Sequence, residues 1–242
     1  MSGITQQPNE PGSGPGTTSW AKPWGYASPQ TLSRVVVALL VIVILVDLAS
    51  VGVLQSRIDV VQKLRDGGFV TPSDLTNADH RVTVSVVAWI AALIGTAALF
   101  IWWFQRVYGN LAALGAHDLR YSHGWSIGSW FVPLLNLVRP ARIAGDAWQA
   151  SDPSLGQDAN WRAGSRSPIV TVWWAAFVLS GLIDRIAARH GSSTVSAAIA
   201  ADRLAMASDA ADIVAALLAI LFVVKLTRRQ VDAREARLAV GT

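Results

Sequence analysis

The side chains best placed to do chemistry in this chain are four aspartates set in or beside apolar runs. Asp47 lies well inside the run 32–54. Asp184 closes another run, and Asp209 and Asp212 open a third, one helical turn apart and so on one face. An ionisable group near a bilayer centre costs on the order of 3 kcal/mol to insert. Such a group must face the bundle interior, find a partner, or carry a proton. The chemistry this pattern offers is binding of a proton or a cation, as a small transporter or channel-like protein would need. The plainer reading is an interhelical salt bridge to Arg185 or Arg203, or exposure at the membrane rim.

A second group crowds the stretch between the second and third long apolar runs: Trp125, Trp130, Pro133, Asn136, Arg139, Pro140, Arg142 and Trp148. The segment 124–140 is apolar enough to leave water but too short and broken to cross. A spanning helix needs roughly 20 mostly apolar residues. Pro133 removes a backbone donor, and Gly124 and Gly128 loosen the first half. The segment should lie in the membrane interface or dip in and return. After it, Arg139, Arg142, Asp146 and Gln149 recur at helical spacing, with Ile143, Ala144, Ala147 and Trp148 on the other face. That spacing predicts a short amphipathic helix suited to lying flat on a membrane. Arg139 and Arg142 could meet lipid phosphates. The region therefore reads as a structural plug, or as a pocket for a lipid headgroup between plug and bundle.

Other chemistry lacks its residues. The chain has no cysteine, which excludes disulfides and thiolate metal sites. His80, His117, His123 and His190 all fall outside the long apolar runs, where a bundle would hold a haem. No nucleophile–base pair, phosphate loop or zinc-protease motif occurs. The expectation is no metal, no cofactor and no enzymatic activity; a membrane-embedded enzyme is the third reading.

The elements that must position these residues are helices. Hydrophobic residues make up 52% of the 242 and charged residues only 15%, against about 25% in an ordinary globular chain. The deficit gathers in four runs, at about 32–54, 82–104, 169–186 and 207–226, with the interfacial segment at 124–150. The fold class expected is an all-α polytopic membrane protein: a membrane domain over 29–226 between a disordered Pro/Gly-rich tail at 1–28 and a basic tail at 227–242. The first run is longer than a signal-peptide core and sits behind about thirty polar residues, so it reads as a span. Ser28-Pro29 offers a helix start. Helical spacing continues through Ile58, Val61 and Leu64 to Gly67-Gly68, and Thr71-Pro72-Ser73-Asp74 restarts it. The first two spans should protrude as a hairpin. Ser192-Ser193 should open a helix running unbroken into the fourth span.

Lysine and arginine predict the orientation. The N-terminal segment through Arg34, the 105–168 loop and the residues from Lys225 carry 13 of them; the other two loops carry 7. The richer side should be cytoplasmic, placing both termini there, in a bacterial cytoplasmic membrane. Ten of eleven tryptophans fall on that side and only Trp89 towards the other. An ordinary aromatic belt populates both interfaces, so this bias predicts an extra aromatic layer under one leaflet. The net charge of +4 thus reads as topology, with no nucleic acid expected.

One ordered string goes further. Trp103, Tyr108-Gly109-Asn110, Leu114-Gly115, Gly124-Trp125, Gly128, Trp130-Phe131, Pro133, Asn136, Pro140, Trp148 and Ser151 resembles the bacterial membrane proteins grouped as domain of unknown function 4328. The likeness runs over roughly 31–226 and is most specific at 102–151. It implies a multi-span architecture and marks Trp125, Trp130, Pro133, Asn136 and Pro140 as signature positions, without implying an activity. The leading expectation is a structural or regulatory membrane protein that meets lipids, or a protein partner through its N-terminal tail, at the cytoplasmic interface.

Overall fold

The computed structural model describes residues 25–156, 160–189 and 194–240. Among these residues six α-helices follow in order: α1 (Gln30–Arg65), α2 (Pro72–Ala113), α3 (Trp125–Gly128), α4 (Arg139–Ala150), α5 (Pro168–Ala187) and α6 (Val195–Val240). Short 3-10 turns occupy Leu135–Leu137 and Trp161–Ala163, and no strand occurs among the described residues. The chain is an all-α polytopic membrane protein: α1, α2, α5 and α6 are each long and apolar enough to cross a bilayer.

Three of the four spans overshoot the membrane. At 1.5 Å per residue, α1 is ~54 Å long, α2 ~63 Å and α6 ~69 Å, against ~30 Å of hydrocarbon. The excess of α1 and α2 forms the protruding hairpin. Gly67 turns it with φ +79°, a conformation open to glycine. Thr71 then starts α2 with a reciprocal capping box, its side chain accepting from the Asp74 N–H while Asp74 accepts from the Thr71 N–H. The hairpin is not alone. The first turns of α6 join it, and Arg57 of α1 binds Asp79 of α2 at 2.8 Å and Asp202 of α6 at 2.6 Å. Beneath them Ile58, Val61 and Ile199 close a small apolar core.

Helix starts follow local chemistry. The Ser28 hydroxyl accepts from the Gln30 N–H at 3.4 Å, and α1 is helical from Gln30. At α6 the cap is Thr194, whose hydroxyl accepts from the Ala197 N–H at 3.1 Å. Ser192-Ser193, expected to open this helix, lie outside the described residues.

Mid-bundle, apolar side chains turn outward: Leu45 and Leu48 on α1, Val87 and Ile94 on α2, Leu179 on α5, Val214 and Leu217 on α6. In water this would be costly, but in a bilayer the lipid tails are as apolar as leucine, and helices associate through packing and polar contacts. The main buried core sits instead at one end of the bundle, where α2 finishes, α5 starts and α6 runs on. Ala27, Asn110 and Gln230 meet there, so both ends of the described chain lie at that end.

Candidate functional site

Two regions concentrate the polar and aromatic side chains that the sequence singles out, one at each end of the membrane-crossing part.

At the aromatic end, Trp103, Phe104, Trp173 and Phe222 are buried side by side, with Trp173 stacked on Phe222 at 4.3 Å between ring centroids. Trp130 closes the layer, its ring edge-on to Phe100, Phe104 and Trp174. The indoles also bond: Trp103 Nε1–H to Thr227 Oγ1, Trp174 to the Leu137 carbonyl, Trp130 to the Ser126 carbonyl and Trp161 to the His117 carbonyl. This layer accounts for most of the tryptophan bias. It is internal structure rather than a headgroup belt; among the described residues Trp102 alone, half exposed with Arg106 over its ring, has belt character. Trp20 and Trp24 lie outside the described residues, as do all of residues 1–24 of the N-terminal tail expected to meet a protein partner.

Helix α4 corrects the amphipathic expectation. Arg142 is exposed and Arg139 half-buried, but the second half of the helix's polar face is covered. Asp146 is 2% exposed and Gln149 9%. The Gln149 amide donates to the carbonyls of Arg162 and Gly164, which lie on the chain that leads from α4 to α5. Gly164 packs directly against the Gln149 backbone, where a side chain would collide. Helical periodicity placed four polar residues on one face, and the loop before α5 then folded over the Asp146 and Gln149 half of it. Asp146 faces Arg120 at 3.5 Å, and its carboxyl is pushed up to about 6: burial outweighs Arg120, Arg162 and Arg142. Asp152, just past α4, goes the other way. Burial opposes its charge, but hydrogen bonds from Ser165 and Ser154 prevail and hold it well below the usual carboxylate range. Arg229 of α6 binds Asp152 at 2.6 Å and donates to the Trp148 carbonyl at 3.0 Å.

The segment 124–138 folds as the helical turn α3, a loop and a 3-10 turn, and it exposes its apolar residues. Phe131 is 71% and Leu134 79% exposed, with Val132, Leu137 and Val138 also open. Leu134 has φ +64°, and the Leu135 N–H donates to the Pro133 carbonyl at 2.8 Å. This is a γ-turn of the rare, strained hand, held in a non-glycine residue. Pro133 is exposed and Asn136 half-buried, while Pro140 is buried in the first turn of α4. Arg139 lies 3.8 Å over the Trp125 ring and within 5.6 Å of Tyr121, and its buried Nη1 has no hydrogen-bond partner. Arg142 is exposed.

At the carboxylate end the four aspartates do converge. Asp47 of α1 is completely buried, and neither of its oxygens makes a hydrogen bond. It faces Asp212 and Asp209 of α6 and Asp184 of α5; the Trp89 indole of α2 approaches it without completing a bond. Three serines attend the others. Ser208 donates to Asp184, Ser50 stands beside Asp209, and Ser180 beside Asp212. The salt bridge considered with Arg185 or Arg203 does not form: among the described residues, no ion pair reaches any of the four aspartates. Nor does any group of three His, Asp or Glu stand close enough to hold a metal ion among the described residues.

The sequence reading missed the polar hub of the aromatic end. Asn110 accepts from the Ala27 N–H at 2.9 Å and donates to the Ala27 carbonyl and to Gln230 Oε1. Gln230 in turn donates to the Val107 carbonyl. Asn110 was visible as part of the ordered string, whereas nothing in the sequence marked Gln230. A cavity of about 260 Å³ nearby, lined by Leu114, His117, Arg234 and Arg237 among others, was also unforeseen.

A family model described as Domain of unknown function (DUF4328) matches residues 66–228, more than half of the chain. The chain belongs to this family. No curated protein and no solved structure matches it. The matched stretch runs from the α1–α2 turn into α6, so it takes in the aromatic layer, the exposed loop and three of the four aspartates. Asp47 and all of α1 precede it.

Proposed function

We propose that this membrane protein is non-enzymatic and binds anionic lipid at its aromatic end, in a structural or regulatory role. The observation that carries the reading is the exposed apolar loop around Phe131 and Leu134, kept in a strained turn on a rigid base. Large apolar side chains thrust outward from a loop at a bundle end have lipid as their natural surroundings. The strain at Leu134 is held by the packed layer behind it, so the loop is presented in one conformation. Beside it, Arg139 is fixed over Trp125 with an unpartnered Nη1, and Arg142 is exposed. Guanidinium groups recognise phosphate oxygens in fixed geometry. Apolar anchor and cationic contact then act together, in line with the two-signal logic of membrane attachment. The lysine and arginine distribution favours the cytoplasmic leaflet of a bacterial membrane.

The test is native mass spectrometry of the full-length protein released from nanodiscs holding phosphatidylglycerol and phosphatidylcholine. Preferential retention of phosphatidylglycerol is expected. Arg139→Gln should abolish the preference, and Phe131→Ser with Leu134→Ser should lower retention of both lipids. Equal retention of both lipids by the unaltered protein and by both variants would sink the reading.

A further inference from the structure

We propose that the carboxylate end is a proton-binding site, with Asp47 as the buried acceptor and Asp212 and Asp209 as its link to the aqueous rim. This stands apart from the lipid reading and uses none of its residues. The acidic pair on α6 and Asp184 on α5 could by themselves be a solvated rim. Asp47 makes the difference. It reaches the same place from a third helix, is completely buried, and has both oxygens unpartnered. Its depth is considerable: 15 residues past the start of the first apolar run is ~22 Å along α1, in the far half of the hydrocarbon.

A bare carboxylate cannot persist there. Burying an ionised group without a partner costs far more than burying its neutral form, so the group neutralises instead. The usual remedies are missing. The groups that face Asp47 from its neighbours are Asp209 and Asp212 on α6, Asp184 on α5 and the Trp89 indole on α2: three like charges and one donor that falls short. The described residues bring it no arginine or lysine and show no set of ligands for a metal ion. What remains is a proton, drawn from the aqueous phase and held on a carboxylate oxygen. A route exists in the residues themselves. Asp184, Asp209 and Asp212 are only half-buried, and Asp209 and Asp212 form a one-turn ladder on α6 that leads towards Asp47. Ser50 and Ser180 beside the ladder add hydroxyls that can both donate and accept. An intramembrane carboxylate loaded from one side is the element that proton-coupled transport requires.

The test is labelling of the full-length protein in nanodiscs with dicyclohexylcarbodiimide, a membrane-soluble reagent selective for protonated carboxyls. The carboxyl proton passes to a carbodiimide nitrogen, the oxygen adds to the central carbon, and rearrangement leaves a stable acylurea. Peptide mass spectrometry reads the labelled position, with exposed Asp118 as the internal reference. Labelling should concentrate at Asp47 and accelerate as pH falls, by roughly tenfold per unit where the site titrates. Asp212→Asn should move that pH profile, and Asp47→Asn should abolish labelling of the α1 peptide. Asp47 left unlabelled between pH 6 and 9, or labelled no faster than exposed Asp118, overturns the proposal. Protection by sodium or potassium at constant pH also overturns it, in favour of a metal cation.

Discussion

The two ends of this bundle differ in how their central polar residues are partnered. At the aromatic end the hub has partners: four indoles bond to carbonyl or hydroxyl oxygens, Asn110 and Gln230 bond to each other and to backbone, and Asp152 collects two serines and Arg229. Around that hub Tyr26, Ser129, Arg139, Asp146 and Arg237 each keep a buried polar atom without a hydrogen bond, but Arg139, Asp146 and Arg237 each still face a ring, an opposite charge or a carbonyl. At the carboxylate end four acids from three helices meet, and the deepest of them bonds to nothing. Satisfied networks rigidify a fold, whereas a buried unsatisfied group in a native structure calls for a reason beyond stability. One end of the molecule holds the bundle together, and the other holds a group the bundle would be more stable without.

The sharpest way to break that contrast is to remove one ring from the aromatic layer. Trp173→Ala should destabilise the protein by about 3–5 kcal/mol, read as thermal unfolding in nanodiscs, because the void cannot collapse around so many packed rings. A loss below about 1 kcal/mol would mean that the layer is not the core. Gln230→Leu comes next. It strands Asn110 and the Val107 carbonyl and should cost about 1–3 kcal/mol in the same measurement.

The carboxylate end should answer with the opposite sign. Asp47→Leu removes an unpartnered buried polar group and should leave unfolding unchanged or raise its midpoint. A marked loss would place Asp47 in the scaffold instead.

The pH response should be smaller. Asp146 is pushed up to about 6, above its value in an unfolded chain, so its contribution to stability is full at low pH and declines as pH rises through about 6. Asp152 is depressed and has the reverse sign: its contribution is present at neutral pH and is lost only in acid. Between pH 7.5 and 5.5 the Asp146 effect should therefore prevail. The unfolding midpoint should rise on acidification, at ~2–4 °C for each kcal/mol in a chain of this size, and Asp146→Asn should reduce that rise, leaving the share owed to proton uptake at the carboxylate end. The smallest effect is expected at the loop. Leu134→Gly relieves the strained turn and should stabilise by about 1 kcal/mol while weakening lipid retention.

Much of this was legible in the sequence because it depends on near neighbours. Four spans follow from hydropathy, the start of α2 from Thr71-Pro72-Ser73-Asp74, and the broken interfacial segment from Pro133 and its flanking glycines. The convergence of the aspartates was half legible: spacing put Asp209 and Asp212 on one face and charge counts put all four towards one side. Which helices would bring them together was not. The reading of α4 shows the limit most clearly. Its periodicity is real, but periodicity says which residues share a face and not what covers it. Residues 162–164, supplied by the return to α5, buried the Asp146 and Gln149 half of the face and left Arg142 exposed.

The sequence by itself thus determined the membrane class, the helices and the family string, since hydropathy, capping and backbone sterics act over a few residues and need no partner. Only the tertiary structure decided which polar groups are satisfied. Asn110 finds Gln230 across 120 positions and Asp152 finds Arg229, while Asp47 meets three other acids and one indole, with no opposite charge. Burial and pairing depend on what arrives from distant parts of the chain, and in a bilayer, where water cannot complete an unmet bond, that pairing separates scaffold from site.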